Sequence, residues 1–205
     1  MPPLQQHPIL RQSFALIDQA MGDHRFAPEE YAILRRIIHS TADFEFAQLL
    51  HISPGAIDQA MVALQSGCAV ITDVTMVRQG CQGMVARTFG NPLIAAVELA
   101  TAAAPGKTLT ETGLLQAWAT YPEAIYVIGN APTALKALCD RLVTSEHQPP
   151  LVIGAPVGFV GVLAAKQQLA ALPIPQIRVA GRKGGSPVAA AILNALLVLA
   201  WEAQP

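Results

Sequence analysis

The stretch Ala124-Ile125-Tyr126-Val127-Ile128-Gly129-Asn130-Ala131-Pro132-Thr133 decides the fold class of this chain. Its first five residues are apolar and rich in β-branched and aromatic types, which indicates a buried strand. Gly129 and Asn130 favour a turn, and Pro132 suits the first turn of a helix. The stretch therefore predicts a strand, a short loop and a helix in direct succession.

Two later stretches repeat this layout of strand, glycine-bearing loop and helix. One is Pro156-Val157-Gly158-Phe159-Val160-Gly161, after the apolar residues 151–153, and the other is Gly181-Arg182-Lys183-Gly184-Gly185-Ser186, after residues 177–180. Strands joined by helices in this way form a parallel sheet with right-handed crossovers. Because the carboxyl ends of parallel strands share one edge, we expect the three loops to outline one ligand pocket.

The rest of the chain predicts helices around this sheet. The first third indicates helices over residues 8–21, 28–41 and 54–66, and residues 69–73 indicate a further strand. More helices are expected over residues 91–104, 114–120, 131–142, 161–172 and 187–201. We therefore predict an α/β fold: a single three-layer domain over residues 1–205, with a mostly parallel central sheet flanked by helices and an N-terminal helical segment.

The composition limits the kinds of partner. Apolar residues make up 52% of the 205 residues and charged residues only 13%, which favours covered sheet faces and further burial in a homodimer. A net charge of −1 without a long run of one sign argues against a nucleic-acid partner. The longest apolar run, Val188 to Trp201, has fourteen residues, and a bilayer span needs about 20. No membrane partner is therefore expected.

The same sequence predicts a cytoplasmic protein. The N-terminal residues Met1 to Pro8 lack the basic region and apolar stretch of a secretory signal. The three cysteines, Cys68, Cys81 and Cys139, are far apart and lack metal-ligand spacing. Such a cysteine pattern fits reduced thiols in a reducing compartment, and no metal site is predicted.

His39 is the one titratable residue near the predicted pocket that suits proton exchange close to neutral pH. It lies on the second predicted helix, three positions after Arg36, so the two side chains are expected on one face. The alternative is that His39 only closes the C-terminus of this helix, where a cation is favourable. Spacing alone leaves both interpretations open.

The loops offer polar and basic groups for a ligand. Asn130 can donate to or accept from a ligand or cap the next helix, and Gly158 allows either close ligand approach or tight packing. Asp73, at a strand end, is a site residue or a turn former. The basic loop Arg182-Lys183-Gly184-Gly185-Ser186 opens a helix and is suited to an anion. Because both glycine-rich nucleotide fingerprints are missing, a carboxylated ligand is favoured over a nucleotide.

Six stretches, in order along the chain, resemble the precorrin-8X methylmutase family, which includes the cobalt-precorrin-8 form. These stretches are residues 11–14 (RQSF), 36–44 (RIIHSTADF), 71–77 (ITDVTMV), 126–135 (YVIGNAPTAL), 154–161 (GAPVGFVG) and 181–186 (GRKGGS). The resemblance covers about residues 9 to 197. It implies an isomerase that moves a methyl group from C-11 to C-12 of the substrate ring, without a cofactor, with cobalt present only if the substrate carries it.

The resemblance also assigns roles to residues. It implies that His39 is the catalytic residue and that a homodimer binds a tetrapyrrole polycarboxylate. Phe159 and apolar strand ends are expected to cover the ring, and basic side chains and loop N–H groups to hold the carboxylates. The substrate-binding residues expected on this basis are Ser13, Arg36, Asp73, Asn130, Pro156, Gly158, Phe159, Arg182, Lys183, Gly184 and Ser186.

One stretch departs from the family pattern. Where the family carries a Thr-Arg pair, this chain reads Thr108-Leu109-Thr110-Glu111-Thr112-Gly113, without an arginine and with an added carboxylate. The family's arginine is expected to bind a substrate carboxylate. The alternative interpretation is therefore a non-catalytic paralogue that binds tetrapyrroles or corrins.

Overall fold

The computed structural model describes residue 4 and residues 7–204. Most of the N-terminal residues considered for a secretory signal (1–3, 5 and 6) therefore lie outside the described part. The helices of the described residues are α1 (Pro8–Met21), α2 (Pro28–Thr41), α3 (Phe46–Leu49), α4 (Ala56–Gln65), α5 (Thr75–Arg87), α6 (Leu109–Thr120), α7 (Pro132–Thr144), α8 (Val162–Ala170) and α9 (Ser186–Glu202). The strands are β1 (Leu50–Ile52), β2 (Val70–Thr72), β3 (Leu93–Ala95), β4 (Ile125–Ile128), β5 (Val152–Gly154) and β6 (Gln176–Val179).

The six strands form one sheet in the order β1-β6-β5-β4-β2-β3. Five of them run parallel, so β2, β4, β5 and β6 end at the same edge. Strand β1 is antiparallel to β6, with Leu50 opposite Val179 and Ile52 opposite Ile177. The predicted mostly parallel sheet is confirmed, and β1 adds an antiparallel edge that the sequence did not indicate.

Helices cover both faces of the sheet. One apolar cluster joins one face to α1, α2, α4, α5 and α9, and a second joins the other face to α6, α7 and α8. Helix α9 is at the centre of the first cluster, with Ile192, Leu193, Leu196 and Leu197 fully buried. This explains its apolar sequence, and no helix of the described residues is long and apolar enough to cross a membrane.

The predicted helix over residues 91–104 is wrong. Residues 93–95 form β3 instead, with Leu93 opposite Val70 in parallel pairing, and a single 3₁₀ turn follows at Ala96–Glu98. The alanines indicated a helix, but strand pairing at the sheet edge overrides that local preference.

Helix α5 is an element that sequence reasoning missed. Two glycines, Gly80 and Gly83, lower its intrinsic helix propensity. Gly80 has a packing role, because a Cβ atom there would lie 2.8 Å from Cβ of Ala190 on α9. Close contact between α5 and α9 therefore requires a residue without a side chain at this position.

Candidate functional site at the carboxyl edge of the sheet

Asp73 joins the ends of β2 and β4. Its carboxylate accepts hydrogen bonds from the backbone N–H groups of Val74 (3.0 Å), Gly129 (3.1 Å), Asn130 (2.7 Å) and Ala131 (2.7 Å). The side chain is fully buried, so it has no surface for a ligand in this structure. Burial raises the pKa of this carboxyl, and the four N–H donors act in the opposite direction. Asp73 therefore shapes the loop after β4, in place of the direct ligand contact expected of it.

The loop after β4 presents Asn130 to solvent. Its backbone N–H is bound by Asp73, whereas its side-chain amide is exposed. The preceding Gly129 lies so close to α5 and α9 that a Cβ atom would meet Val77 at 2.8 Å and Ala189 at 2.9 Å. The amide is thus held on a tightly packed backbone and remains available to a ligand.

The loops after β5 and β6 are hydrogen-bonded to each other. The N–H of Gly158 donates to the carbonyl of Arg182 (3.2 Å), and the N–H of Gly185 donates to the carbonyl of Ala155 (2.8 Å). Gly184 has φ +149°, and a Cβ atom there would lie 2.3 Å from the carbonyl oxygen of Ala155. Only glycine fits this position, and the two loops form one continuous surface.

Of the site residues predicted in these two loops, two are exposed to solvent and two are buried. Phe159 is 84% exposed and the guanidinium of Arg182 lies 6.0 Å from the centre of its ring. Pro156 and Ser186, by contrast, are buried at the bases of the loops. The exposed pair is available to a flat apolar ligand with acidic groups, whereas Pro156 and Ser186 support the loops.

Lys183 connects the loop after β6 to the segment that follows α2. Its Nζ lies 2.6 Å from a carboxylate oxygen of Asp43 and 2.6 Å from one of Glu45. These contacts raise the pKa of Lys183, and the hydrogen bond from Lys183 lowers that of Asp43. Lys183 is therefore paired with two carboxylates of the protein, whereas Arg182 is exposed and lies against the ring of Phe159.

His39 lies in the last turn of α2, at the end that Lys183 reaches. Its Nδ1 is 2.8 Å from Oγ of Ser13 on α1, so the structure brings these two predicted residues together. The buried ring of Phe14 meets the imidazole edge-on, with the centroids 5.6 Å apart. The hydroxyl and the ring together fix the orientation of an exposed imidazole.

An apolar groove of about 270 Å³ adjoins this imidazole. Its wall is formed by Ser13, Leu16, Ile17, Ile38, His39, Ala42 and Phe44. Depressions of about 450 and 460 Å³ also occur, but they lie at the outer edges of the sheet beside β1 and β3. The groove beside His39 combines an apolar wall with an exposed imidazole.

The surroundings of Arg36 differ from those of His39, although the sequence predicted both side chains on one face of α2. It is half-buried, and burial together with the neighbouring Arg35 lowers its pKa, while Glu202 at the end of α9 raises it. No hydrogen bond joins it to His39 in the described part of the chain. Arg36 is therefore near Glu202 at the end of α9 and is less exposed than His39.

Lys166 on α8 was missed by sequence reasoning. It is only 3% exposed, and its ammonium donates to the carbonyls of Gly181 (2.9 Å) and Lys183 (2.7 Å) beneath the loop after β6. The sequence pattern could have indicated this buried lysine, because Lys166 interrupts a buried stripe of Val162, Ala165 and Leu169 at helical spacing. A lysine on such a stripe needs a buried acceptor.

The stretch that departs from the family pattern begins α6. Thr108 caps this helix, accepting from the N–H of Glu111 (3.1 Å), and its hydroxyl also lies 2.9 Å from that of Thr133. The carboxylate of Glu111 is paired with Lys107 at 2.5 Å. The added negative charge is therefore neutralised within the same turn.

Comparison with known proteins identifies the family of this chain. The profile of the precorrin-8X methylmutase family matches residues 8–199. A cobalt-precorrin-8 methylmutase of Synechocystis sp. is 54% identical over 96% of this chain and 97% of its own length. A precorrin-8X methylmutase of Pseudomonas aeruginosa is 36% identical over 92% of this chain and 93% of its own.

A solved structure gives the same result for the fold. The crystal structure of a precorrin-8X methylmutase from Thermus thermophilus matches with a TM-score of 0.86 and 38% identity, covering 96% of this chain and 98% of that one. Both the sequence and the arrangement of the elements agree over nearly the whole length. The chain belongs to the precorrin-8X methylmutase family.

Proposed function

We propose that this protein is an isomerase that moves a methyl group from C-11 to C-12 of a precorrin-8 macrocycle. The observation that carries the proposal is the oriented imidazole of His39, held by Ser13 beside an apolar groove, in a chain of this family. Cobalt-precorrin-8 is the substrate we favour, because the relative at 54% identity is named for that form. Nothing observed favours the alternative of a non-catalytic binder.

The imidazole of His39 would act on the ring system of the substrate. In the reaction the bond from the methyl group to C-11 breaks and a bond to C-12 forms, so the product is an isomer of the substrate. A proton or a hydrogen bond from His39 withdraws electron density from the conjugated system along which the methyl group moves. We propose that no protein-bound cofactor takes part and that any cobalt enters as part of the substrate.

The remaining groups would bind and orient the macrocycle. The exposed ring of Phe159 would cover an apolar face, and the exposed side chains of Arg182 and Asn130 would meet peripheral carboxylates. A charge-assisted hydrogen bond of this kind contributes about 1.5–3 kcal/mol. Several such contacts would hold one ring of the substrate against His39, since positioning is the main requirement of an intramolecular shift.

The test is an absorbance time course with cobalt-precorrin-8 and, separately, with metal-free precorrin-8. Conversion to the stable corrin spectrum supports the proposal, and the faster substrate identifies the form used. His39→Ala is expected to abolish conversion and retain product binding, because the imidazole is exposed and not part of the core. The matched control is His147→Ala, an exposed histidine paired with Glu123 away from the carboxyl edge.

Two outcomes contradict the proposal. A wild-type protein that binds the corrin product without converting either substrate would indicate the non-catalytic binder. Full activity in His39→Ala would remove His39 from the catalytic role while leaving the isomerase activity in place.

We also propose a homodimer in the cytoplasm. Large apolar side chains are exposed on α1 and in the wall of the groove, including Ile9 (68%), Leu16 (60%) and Phe44 (41%). A second copy of the chain would cover this surface. The three free cysteines, two of them buried, fit a reducing compartment. Sedimentation equilibrium tests the assembly: the mass of two chains supports it, and the mass of one chain overturns it.

A further inference from the structure

Lys166 is a buried cation without a carboxylate partner in the described part of the chain. Its Nζ donates to two carbonyls, those of Gly181 and Lys183, which both belong to the loop after β6. Burial lowers the pKa of this amine to about 8. A well-packed apolar residue is often as stabilising as a buried charge, so packing alone gives no reason for a lysine here.

Lys166 connects the loop after β5 to the loop after β6. Helix α8 begins directly after the loop that follows β5, and Lys166 reaches from this helix to the loop that follows β6. The same two loops are joined by the hydrogen bonds of Gly158 to Arg182 and of Gly185 to Ala155. Lys166 therefore holds the pair of loops together from beneath, on the side away from solvent.

A second connection runs from this loop to the catalytic segment. The backbone of Lys183 accepts from Lys166, and the side chain of Lys183 donates to Asp43 and Glu45. Asp43 lies four residues after His39 in the sequence. The two lysines thus form a continuous path of hydrogen bonds from α8 through the loop to the end of α2.

We propose that Lys166 is a positioning residue for the methylmutase reaction. Its ammonium fixes the Gly181–Ser186 loop, so that Arg182 of this loop is held in place for a carboxylate of the substrate. It also fixes the loop relative to the segment that carries His39. The inference rests on the proposed function for the identity of that ligand. Lys166 does not touch the substrate, because its side chain is enclosed. Its action is through the loop that it holds.

Replacement of Lys166 is expected to separate binding from chemistry. In Lys166→Met the loop loses two donors, so we expect the KM for substrate and the Kd for the corrin product to rise by about tenfold. The kcat at saturating substrate is expected to change by less than about threefold, since substrate that binds still meets His39. A merely structural role would lower the melting temperature and leave KM and Kd of the folded protein unchanged.

Lys166→Gln is the second variant. The glutamine amide is neutral but retains two N–H donors, so partial recovery of Kd relative to Lys166→Met is expected if the hydrogen bonds carry the effect. It also keeps the experiment informative if the methionine variant folds poorly. The matched control is Lys136→Met, which removes an exposed lysine paired with Asp140 on α7 and is expected to leave KM and Kd unchanged.

A measurement without turnover separates this inference from the proposed function. Hydrogen–deuterium exchange of peptides that include residues 181–186 and 155–158 reports directly on the hydrogen bonds between the two loops. Faster exchange there in Lys166→Met than in the wild type and Lys136→Met, together with weaker product binding, supports the role of Lys166. Unchanged exchange and unchanged Kd overturn it. If the wild type binds product but never converts substrate, the proposed function fails, and the exchange and binding data still decide the role of Lys166.

Discussion

Oγ of Ser13 lies 2.8 Å from Nδ1 of His39, so a hydroxyl on α1 orients an imidazole on α2. A hydroxyl can donate or accept, and either direction leaves Nε2 as the nitrogen that is free to face a ligand. Two consecutive helices, α1 and α2, therefore hold this pair of side chains together.

Ser13→Ala is expected to lower kcat by about tenfold, the effect of one orienting hydrogen bond, with little change in KM. The matched control is Ser40→Ala, since the hydroxyl of Ser40 donates to the carbonyl of Ile37 and is not bonded to His39. Steady-state kinetics of both variants check this. Equal kcat values in the two variants would show that Ser13 does not orient His39.

The two glycines of α5 give a paired prediction on stability. Gly80→Ala places a methyl group 2.8 Å from Cβ of Ala190, and such overpacking is expected to destabilise by about 1–3 kcal/mol. Gly83→Ala meets nothing within 4 Å, so the better helix propensity is expected to stabilise by about 0.5–1 kcal/mol. Urea unfolding of both variants checks the signs. Unchanged or higher stability of Gly80→Ala would contradict the packing argument, and a loss of stability in Gly83→Ala would contradict the propensity argument.

Lys166 gives a prediction on pH. Its pKa is about 8 in the folded protein and 10.5 in an ordinary lysine, so the unfolded chain binds more protons between these values. The contribution of this group to the free energy of unfolding therefore rises with pH in that window. Relative to Lys166→Met, the wild type is expected to gain about 1 kcal/mol between pH 7.5 and pH 9.

Urea unfolding of both proteins at these two pH values provides the measurement. The buried thiols of Cys81 and Cys139, whose pKa burial raises to about 12, act in the opposite direction. They are present in both proteins and cancel in the difference. A difference that stays constant with pH would show that Lys166 titrates like an exposed lysine.

The departure near Thr108 gives a gain-of-affinity prediction. Leu109 is 38% exposed at the start of α6, beside the contact of Thr108 with Thr133. Leu109→Arg adds a guanidinium at the carboxyl edge of the sheet. Because this group can bind a carboxylate of the ligand, the Kd for the corrin product is expected to fall by about tenfold. Val143→Arg, at an exposed position of α7, is the control for added charge. Titration of both variants checks this, and equal Kd values would place Leu109 outside the binding surface.

Local patterns predicted much of the fold. The strand, loop and helix at residues 124–133 are confirmed as β4 and α7, and the boundaries of α1 and α2 are those expected from Pro8 and Pro28. The failures depended on partners distant in sequence. Helix α5 forms because Gly80 fits against Ala190, and β3 forms because Leu93 pairs with Val70.

The sequence predicted which segments form the candidate site, but not the contacts between them. The sequence indicated the loops and His39, but not that Lys183 would pair with Asp43, 140 residues earlier. It also placed Asp73 among ligand contacts, because a carboxylate at a strand end has no visible partners until the neighbouring strand is in place. The contact of Ser13 with His39 was not predicted, because the resemblance gave the two residues separate roles, Ser13 in substrate binding and His39 in catalysis.

The four N–H bonds to Asp73 fix the backbone of the loop after β4. The loop after β6 is held by the side chains of Lys166 and Lys183 and by two backbone hydrogen bonds to the loop after β5. We therefore expect discrimination by shape to come from the loop after β4, and differences in the peripheral arms of a macrocycle to be met by the loop after β6. Libraries that aim to broaden the range of accepted corrins are best directed at the loop after β6, with the loop after β4 left intact.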